Sequence, residues 1–318
     1  MKIKRISKGK KHRFVLTGDL HFRYDKPVCY KDEVDWIELQ KKAIQFLASF
    51  KCPIICSGDF FDRAKQPVWF LREIMKEILR TRAQIFSVYG NHDLFGVGHN
   101  ISRYKETSLE LLNSAEVLYA YNSYTKVLKG VVFHMMEPEQ KSPIDTTSAY
   151  EDHSHFAVIH EFVYKGKEPY PGCPIEHEYS NLVDRIAPNN PNLLGIITGD
   201  NHQSFIGNGC PKVINPGCLM WQKISESEYT PKVYIMDVEG RDLEITGVEC
   251  KFLRPEFLTR EHLMEKEDKE QRLSAFVSRL NRDMEVGLSF EDNLEQYRKA
   301  NKVEKRVMDI IYKSMTGE

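Results

Sequence analysis

Five short apolar runs in this chain end alike, each breaking off into carboxylate, imidazole or amide side chains. Phe14-Val15-Leu16-Thr17-Gly18 gives way to Asp19-Leu20-His21. Pro53-Ile54-Ile55-Cys56 leads into Gly58-Asp59-Phe60-Phe61-Asp62, and Gln84-Ile85-Phe86-Ser87-Val88 into Gly90-Asn91-His92-Asp93. Phe156-Ala157-Val158-Ile159 ends in His160-Glu161, and Leu193-Leu194-Gly195-Ile196-Ile197-Thr198-Gly199 in Asp200-Asn201-His202. Short continuous apolar runs bounded in this way read as buried strands. A core gains nothing from the polar groups that follow them. Amphipathic stretches over residues 34 to 50 and from about Val68 to Arg80 alternate with the first three runs, as helices do between parallel strands. Open α/β sheets bind ligands at the carboxyl ends of their strands, which is where these side chains fall. The chain is thereby constrained to an α/β fold that gathers five strand ends, with Asp19 and His21 on one side of an extended backbone.

A length of 318 residues suits one large domain with an appendage. Charged residues at 29 % and hydrophobic ones at 41 % are ordinary for a soluble globular protein. The net charge of -1 excludes a globally basic nucleic-acid binder but not local patches. No apolar run approaches the roughly 20 residues needed to span a bilayer, and no signal-peptide core follows Met1-Lys2-Ile3-Lys4-Arg5. A cytoplasmic location, in the host cytoplasm for a viral protein, is therefore expected. Seven cysteines without a Cys-x-x-Cys pair suit reduced thiols, with Cys52 and Cys56 as core residues. Lys2, Lys4, Arg5, Lys8, Lys10, Lys11 and Arg13 form a leader without an acid, either a solvated segment or a phosphate contact.

Val131-Val132-Phe133-His134 reads as a further strand, and His134 and His155 are expected to be structural, whereas His160 repeats the strand-end placement of a ligand. The Pro-, Gly- and Asn-rich segment from Tyr164 to Pro191 reads as a surface excursion. Residues 212 to 218 and 231 to 238 read as late strands, the second turning through Glu239-Gly240-Arg241-Asp242 into another. From about residue 253 the chain becomes charged and helical. Leu273, Phe276, Val277 and Leu280, then Val303, Val307, Ile310 and Ile311, recur at helical spacing, with Ser289 as a cap between them. These stripes either pack on the parent domain or bind a partner. The expected division is a catalytic domain over 1–250 and a helical extension over 251–318.

Asp19, His21, Asp59, Asn91, His92, His160, Asp200 and His202 are too many donors for one cation. Oxygen and imidazole donors without thiolate suit Mn²⁺, Mg²⁺, Fe or Zn²⁺, and a shared carboxylate supports two ions about 3.5–4 Å apart, as in phosphoester hydrolysis. Such a pair acidifies a bridging water and screens phosphate charge, while an imidazole that is not a ligand can protonate the leaving oxygen.

Taken in order, Gly18-Asp19-Leu20-His21, Gly58-Asp59-Phe60-Phe61-Asp62, Gly90-Asn91-His92-Asp93, Ile159-His160-Glu161 and Gly199-Asp200-Asn201-His202 resemble the motifs of the calcineurin-like metallophosphoesterase superfamily. The resemblance covers roughly residues 12 to 250 and implies two packed mixed β-sheets flanked by helices, with a helical C-terminal appendage. It implies that Asp19, His21, Asp59 and His202 hold one metal ion, with Asp59 as the bridge, and that Asn91, His160 and Asp200 hold the other. His92 would assist the leaving group, oriented by Asp93. The last motif of the family usually reads Gly-His-x-His, so Asp200 stands where a histidine is usual. The added carboxylate lowers the formal charge of a two-cation site from about +2 to about +1 and favours Mn²⁺ or Mg²⁺ over Zn²⁺.

Within the superfamily the chain is most similar to the DNA-repair exonucleases of the SbcD type and their viral relatives. The similarity rests on Gly58-Asp59-Phe60-Phe61-Asp62, the Asn215-Pro216-Gly217-Cys218 turn and the helical C-terminal appendage. It implies DNA as substrate, cut as an exonuclease or endonuclease in repair, recombination or replication, and a coiled-coil ATPase partner held through the C-terminal helices. A homodimer is open, and no membrane partner is expected. A phosphodiesterase or phosphatase acting on nucleotides or phosphoproteins would use the same centre, and a scaffold with a centre impaired at Asp200 is a third reading. Arg63 and Lys65, then Arg103 and Lys105, follow the second and third motifs, as residues along a DNA path or as scattered surface charge.

Overall fold

Along His12–Thr17 (β1) successive side chains alternate between two apolar faces, and this decides the layering. Phe14 and Leu16 pack with Phe133, Phe156, Ile197 and Met236, whereas Val15 joins Leu39, Ile44 and Ile74. A strand that is apolar on both faces has to be covered on both sides.

The computed structural model describes residues 10–95, 102–136, 153–261, 263, 272, 274 and 290–316. After β1 the strands are Ile54–Cys56 (β2), Ile85–Val88 (β3), Tyr119–Tyr121 (β4), Tyr124–Leu128 (β5), Val131–Met135 (β6) and Ser154–Val158 (β7). They continue as Leu193–Ile197 (β8), Phe205–Ile206 (β9), Lys212–Asn215 (β10), Lys232–Glu239 (β11) and Asp242–Glu249 (β12). Two six-stranded sheets result, ordered β12-β11-β1-β2-β3-β4 and β5-β6-β7-β8-β10-β9. β1 to β4 run parallel, with β11 and β12 antiparallel beside them. In the second sheet β6, β7, β8 and β10 are parallel, and β5 and β9 are antiparallel edges.

The core built on Phe14 and Leu16 lies between the sheets, and helices cover the outer faces. Trp36–Ser49 (α1) begins where Asp35 Oδ1 accepts from the Glu38 N–H at 3.0 Å, and its buried stripe Trp36, Leu39, Ala43, Ile44 and Leu47 follows the helical period. Val68–Thr81 (α2), Ser102–Lys105 (α3) and Ser108–Ser114 (α4) follow before β4. The fold is thus two mixed sheets flanked by helices, as expected. One expectation is corrected: the segment from 164 to 191 contains a helix, Tyr179–Ile186 (α5), which buries Leu182 and Ile186 against the second sheet. Its eight residues sit among prolines, glycines and asparagines that mask its period.

The chain divides into two compact units, Met1–Thr259 and Arg260–Glu318. The first runs past the expected limit at 250 because Lys31 N–H donates to Phe257 O at 2.9 Å and Thr259 N–H to Cys29 O at 2.8 Å. In the second, Phe290–Asn301 (α6) and Lys305–Thr316 (α7) close on Leu294, Met308 and Ile311. Val307 and Ile310 of the expected stripe are 43 % and 56 % exposed, since α7 turns its Met308 and Ile311 side inward. Leu273, Phe276, Val277, Leu280 and Ser289 lie outside the described residues, as do Lys2, Lys4, Arg5, Lys8 and the side chain of Arg103. Among the described residues no helix is long and apolar enough to cross a membrane.

Candidate metal centre

Because β1 and β2 run parallel, the loops after them leave the sheet side by side and zip together. Asp19 N–H donates to Gly58 O at 3.1 Å, and His21 N–H to Asp59 O at 3.0 Å. Asp19, His21, Asp59 and Asp200 all stand in the left-handed region, at φ 48°, 44°, 49° and 69°. For residues other than glycine this costs roughly 1–2 kcal/mol each, so four such residues at one place mark a site over-determined by its surroundings. Glycine is required beside them. A Cβ on Gly90 would lie 2.0 Å from Asp59 Oδ1, and one on Gly58 2.6 Å from His160 Nδ1.

Asp93 staples the second and third motif loops. Its carboxylate accepts from the backbone N–H groups of Phe60 at 3.1 Å, Phe61 at 2.9 Å and Gly90 at 3.0 Å. Burial, reinforced by the Asp59 charge, pushes the Asp93 carboxyl up to about 7. The expectation that Asp93 orients His92 is therefore corrected, because both its oxygens are taken up by the backbone. His92 is oriented by Asp62, whose backbone oxygen accepts from His92 Nδ1 at 2.8 Å, and the His92 N–H donates to Asp59 Oδ1 at 2.9 Å. An acceptor that can only accept places the proton on Nδ1 and leaves Nε2 as the ring's free edge.

The remaining residues converge as two overlapping trios. Asp19, His21 and His202 form one, and Asp19, Asp59 and His160 the other, with the ligating atoms of each within 4.8 Å of one another. His21 Nε2 lies 3.1 Å from His202 Nε2. Asp59 Oδ2 stands between the trios, 3.7 Å from His21 Nε2 and 3.3 Å from His160 Nε2. Asn91 Oδ1 is 2.8 Å and Asp200 Oδ1 3.8 Å from His160 Nε2, so both add oxygen on that side. The Asp200 N–H donates to Asp19 Oδ1 at 2.9 Å. Asp19 Oδ2 and Asp59 Oδ2 are buried without a hydrogen-bond partner. Buried carboxylate oxygens in that state are costly unless something positive meets them, and oxygen with imidazole donors is the set that divalent cations take. These residues fit a pair of such cations.

The electrostatics agree. Burial pushes the Asp19 carboxyl up to about 6 against the pull of His160 and His202. Burial takes the His21 imidazole down to about 3, the neutral form that a ligand needs. His160 goes the other way, to about 10, because the adjacent Asp59 outweighs its burial. Asp59 is correspondingly held below the usual carboxylate range, its burial overcome by His160, His21 and His92. Without a cation, the cluster carries its positive charge on His160.

Away from the cluster, His134 Nε2 and His155 Nδ1 are 3.0 Å apart, paired across β6 and β7. One polar residue escaped the sequence reading. Glu226 Oε1 accepts from His202 Nδ1 at 2.6 Å, while its Oε2 accepts from the Gln222 and Lys223 N–H groups at 2.6 and 3.2 Å. A carboxylate on one imidazole nitrogen aims the other at the cluster. Glu226 lies 24 residues beyond His202, on a short turn and not at a strand end, so no local pattern marks it. The Asn215-Pro216-Gly217 turn has a comparable role: Asn215 Nδ2 donates to Asn201 O and Gln203 O at 2.7 and 2.8 Å and holds the His202 loop.

The chain matches the sequence family described as calcineurin-like phosphoesterase over residues 12–204 and belongs to that family. It is a phosphoester hydrolase by class, and the family typically binds two divalent metals. No curated protein matches the chain. Among solved structures it is similar to TT1561 of Thermus thermophilus, with 13 % identity and a TM-score of 0.42 over 75 % of this chain and 99 % of that one. It is also similar to a dimetal phosphatase from Danio rerio, at 11 % identity and a TM-score of 0.43 over 75 % of this chain and 98 % of that one. A 5′-nucleotidase precursor from Thermus thermophilus is similar at 13 % identity and a TM-score of 0.40, over 84 % of this chain and 59 % of that one.

Proposed function

We propose that the protein is a two-metal phosphodiester hydrolase acting on DNA, a nuclease of the SbcD type. The observation that carries the two-metal reading is the pair of overlapping trios with two buried carboxylate oxygens lacking hydrogen-bond partners. DNA as substrate is supported by Gly58-Asp59-Phe60-Phe61-Asp62, the Asn215-Pro216-Gly217-Cys218 turn and the helical C-terminal unit.

In this reading Asp19, His21, Asp59 and His202 would hold one cation and Asn91, His160 and Asp200 the other, with Asp59 Oδ2 within 3.7 Å of His21 Nε2 and 3.3 Å of His160 Nε2. When bound, the cations supply an acidified water near neutral pH and neutralise part of the phosphate charge. His92 contributes from the open side. Its Nδ1 is tied to Asp62 O, its ring centre lies 4.8 Å from that of His21, and its Nε2 edge faces the open side, where the ring in its imidazolium form would give the Nε2 proton to the leaving oxygen and keep the one on Nδ1.

Purified protein with Mn²⁺, given labelled single- and double-stranded DNA and bis-p-nitrophenyl phosphate in parallel, tests the reading. DNA cleavage that His92→Ala abolishes is expected. Hydrolysis of the small ester alone would remove DNA as the substrate, and inertness on both would remove the hydrolase.

Calorimetric titration with Mn²⁺ and Zn²⁺ examines the donors separately from turnover. His160, held up to about 10 by Asp59 against its burial, is protonated in the metal-free protein at neutral pH. Only its neutral form ligates, so binding expels that proton, and apparent affinity should rise about tenfold per pH unit between roughly pH 7 and 9. A flat pH profile with no proton release would exclude His160 as a ligand. In the same titration Asp200→His should move preference toward Zn²⁺, and an unchanged order of the two ions would take Asp200 out of the site. Glu226→Gln should weaken Mn²⁺ binding by about 10–100-fold, the usual cost of losing an outer carboxylate behind a ligating imidazole. Wild-type Mn²⁺ affinity in that variant would make Glu226 merely structural.

A further inference from the structure

The edge of the first sheet opposite the metal-centre loops carries features that hydrolysis does not use. It is built from the residues leading into β2 and β3, the C-terminal turns of α1 and α2, and the Lys129-Gly130 turn between β5 and β6. Two troughs lie there, of about 460 and 450 Å³, and they adjoin through Arg82, Ala83 and Gln84. Lys51, Arg82 and Lys129 line the second, and among the described residues no acidic side chain lines it. These three cations stand at φ 54°, 56° and 52°, in turns where glycine is the usual residue. Burial and the charges of Lys10 and Lys129 hold the His12 imidazole below its ordinary pKa, so positive potential extends to the entry of β1.

The first trough adds aromatic faces. Phe86 and Tyr119, which line it together with Glu116, stack with ring centres 5.2 Å apart. Lys126 Nζ lies 5.6, 5.5 and 5.7 Å from the rings of Phe86, Tyr119 and Tyr121. Tyr119 is 39 % exposed and sits on β4, the outermost strand of the first sheet. Cations along a trough with an exposed ring beside them suit a strand whose bases are unpaired, since phosphates take the charges and a base stacks on the ring. A duplex keeps its bases stacked on each other, and an acidic protein segment has no use for an exposed tyrosine ring.

We propose that this edge is a second DNA contact, holding single-stranded DNA away from the metal centre, with Lys51, Arg82 and Lys129 on its phosphates and Tyr119 on a base. The proposal rests on the reading of DNA as the substrate.

Fluorescence anisotropy of a labelled dT20 strand in EDTA, followed across a salt series, tests it with two variants of the full chain. Lys51→Gly/Arg82→Gly/Lys129→Gly removes charge at positions whose backbone favours glycine, so the turns are kept. Its salt slope should fall by about 2, from three phosphate contacts at roughly 0.7 each, and its affinity on the order of tenfold or more. Tyr119→Ala should also lose on the order of tenfold. Both variants should hydrolyse bis-p-nitrophenyl phosphate with Mn²⁺ as the wild type does. Unchanged dT20 binding in both would overturn the site. A loss confined to the glycine variant would overturn the DNA assignment and leave a general polyanion surface. Edge-dependent dT20 binding by a protein that fails to cut DNA would sink the nuclease reading and leave this site standing.

Discussion

Asp59→Asn should reduce phosphodiester hydrolysis on the order of a thousandfold, beyond the 10–100-fold typical of a residue behind a ligand. Asp59 Oδ1 accepts from the His92 N–H at 2.9 Å, so an asparagine must place its carbonyl oxygen there. Its NH₂ then takes the position of Oδ2, which lies 3.3 Å from His160 Nε2 and 3.7 Å from His21 Nε2. A donor replaces the acceptor that faces both His160 and His21. The imidazole of His160 also loses the carboxylate that keeps it charged, so its pKa should fall toward the ordinary histidine value, which an NMR titration of the metal-free protein would read. Hydrolysis of bis-p-nitrophenyl phosphate at saturating Mn²⁺ gives the rate. More than a tenth of wild-type activity would show that Asp59 does not bridge the centre.

Gly90→Ala should destabilise the protein by about 3 kcal/mol, the upper range for over-packing a tight site. The new Cβ would meet Asp59 Oδ1 at 2.0 Å and the Asp59 backbone nitrogen at 2.4 Å. A side chain tip could yield, but the backbone there is fixed, since Asp59 O accepts from the His21 N–H at 3.0 Å. Gly90 is not among the residues with positive φ, so the cost is steric and not conformational. Urea denaturation should show a lower midpoint at unchanged slope. An unfolding free energy within about 0.5 kcal/mol of wild type would mean that the two loops can separate, and that the packing of Gly90 on Asp59 is not what holds them.

Much of the site could be read from local sequence. Asp19, His21, Asp59, Asn91, His160, Asp200 and His202 each follow an apolar run, and parallel strands bring such ends to one edge. Asp93 follows one too, yet its local position says nothing of its partners, which come from Phe60 and Phe61 across the loop. α5 is hidden by the turn residues around it, and of the expected stripe Val303 and Ile311 join the Leu294 cluster, whereas Met308 takes the inward place expected of Val307.

By itself the sequence determined the layered α/β architecture and the chemistry at the strand ends, because hydrophobic period and strand termination are properties of neighbouring residues. Only the tertiary structure decided that Asp62 and not Asp93 holds His92, that Glu226 stands behind His202, and that Lys51, Arg82 and Lys129 meet on the far edge. Those contacts join segments far apart in the chain, and their partners are chosen by how strands and loops pack, for which no local pattern exists.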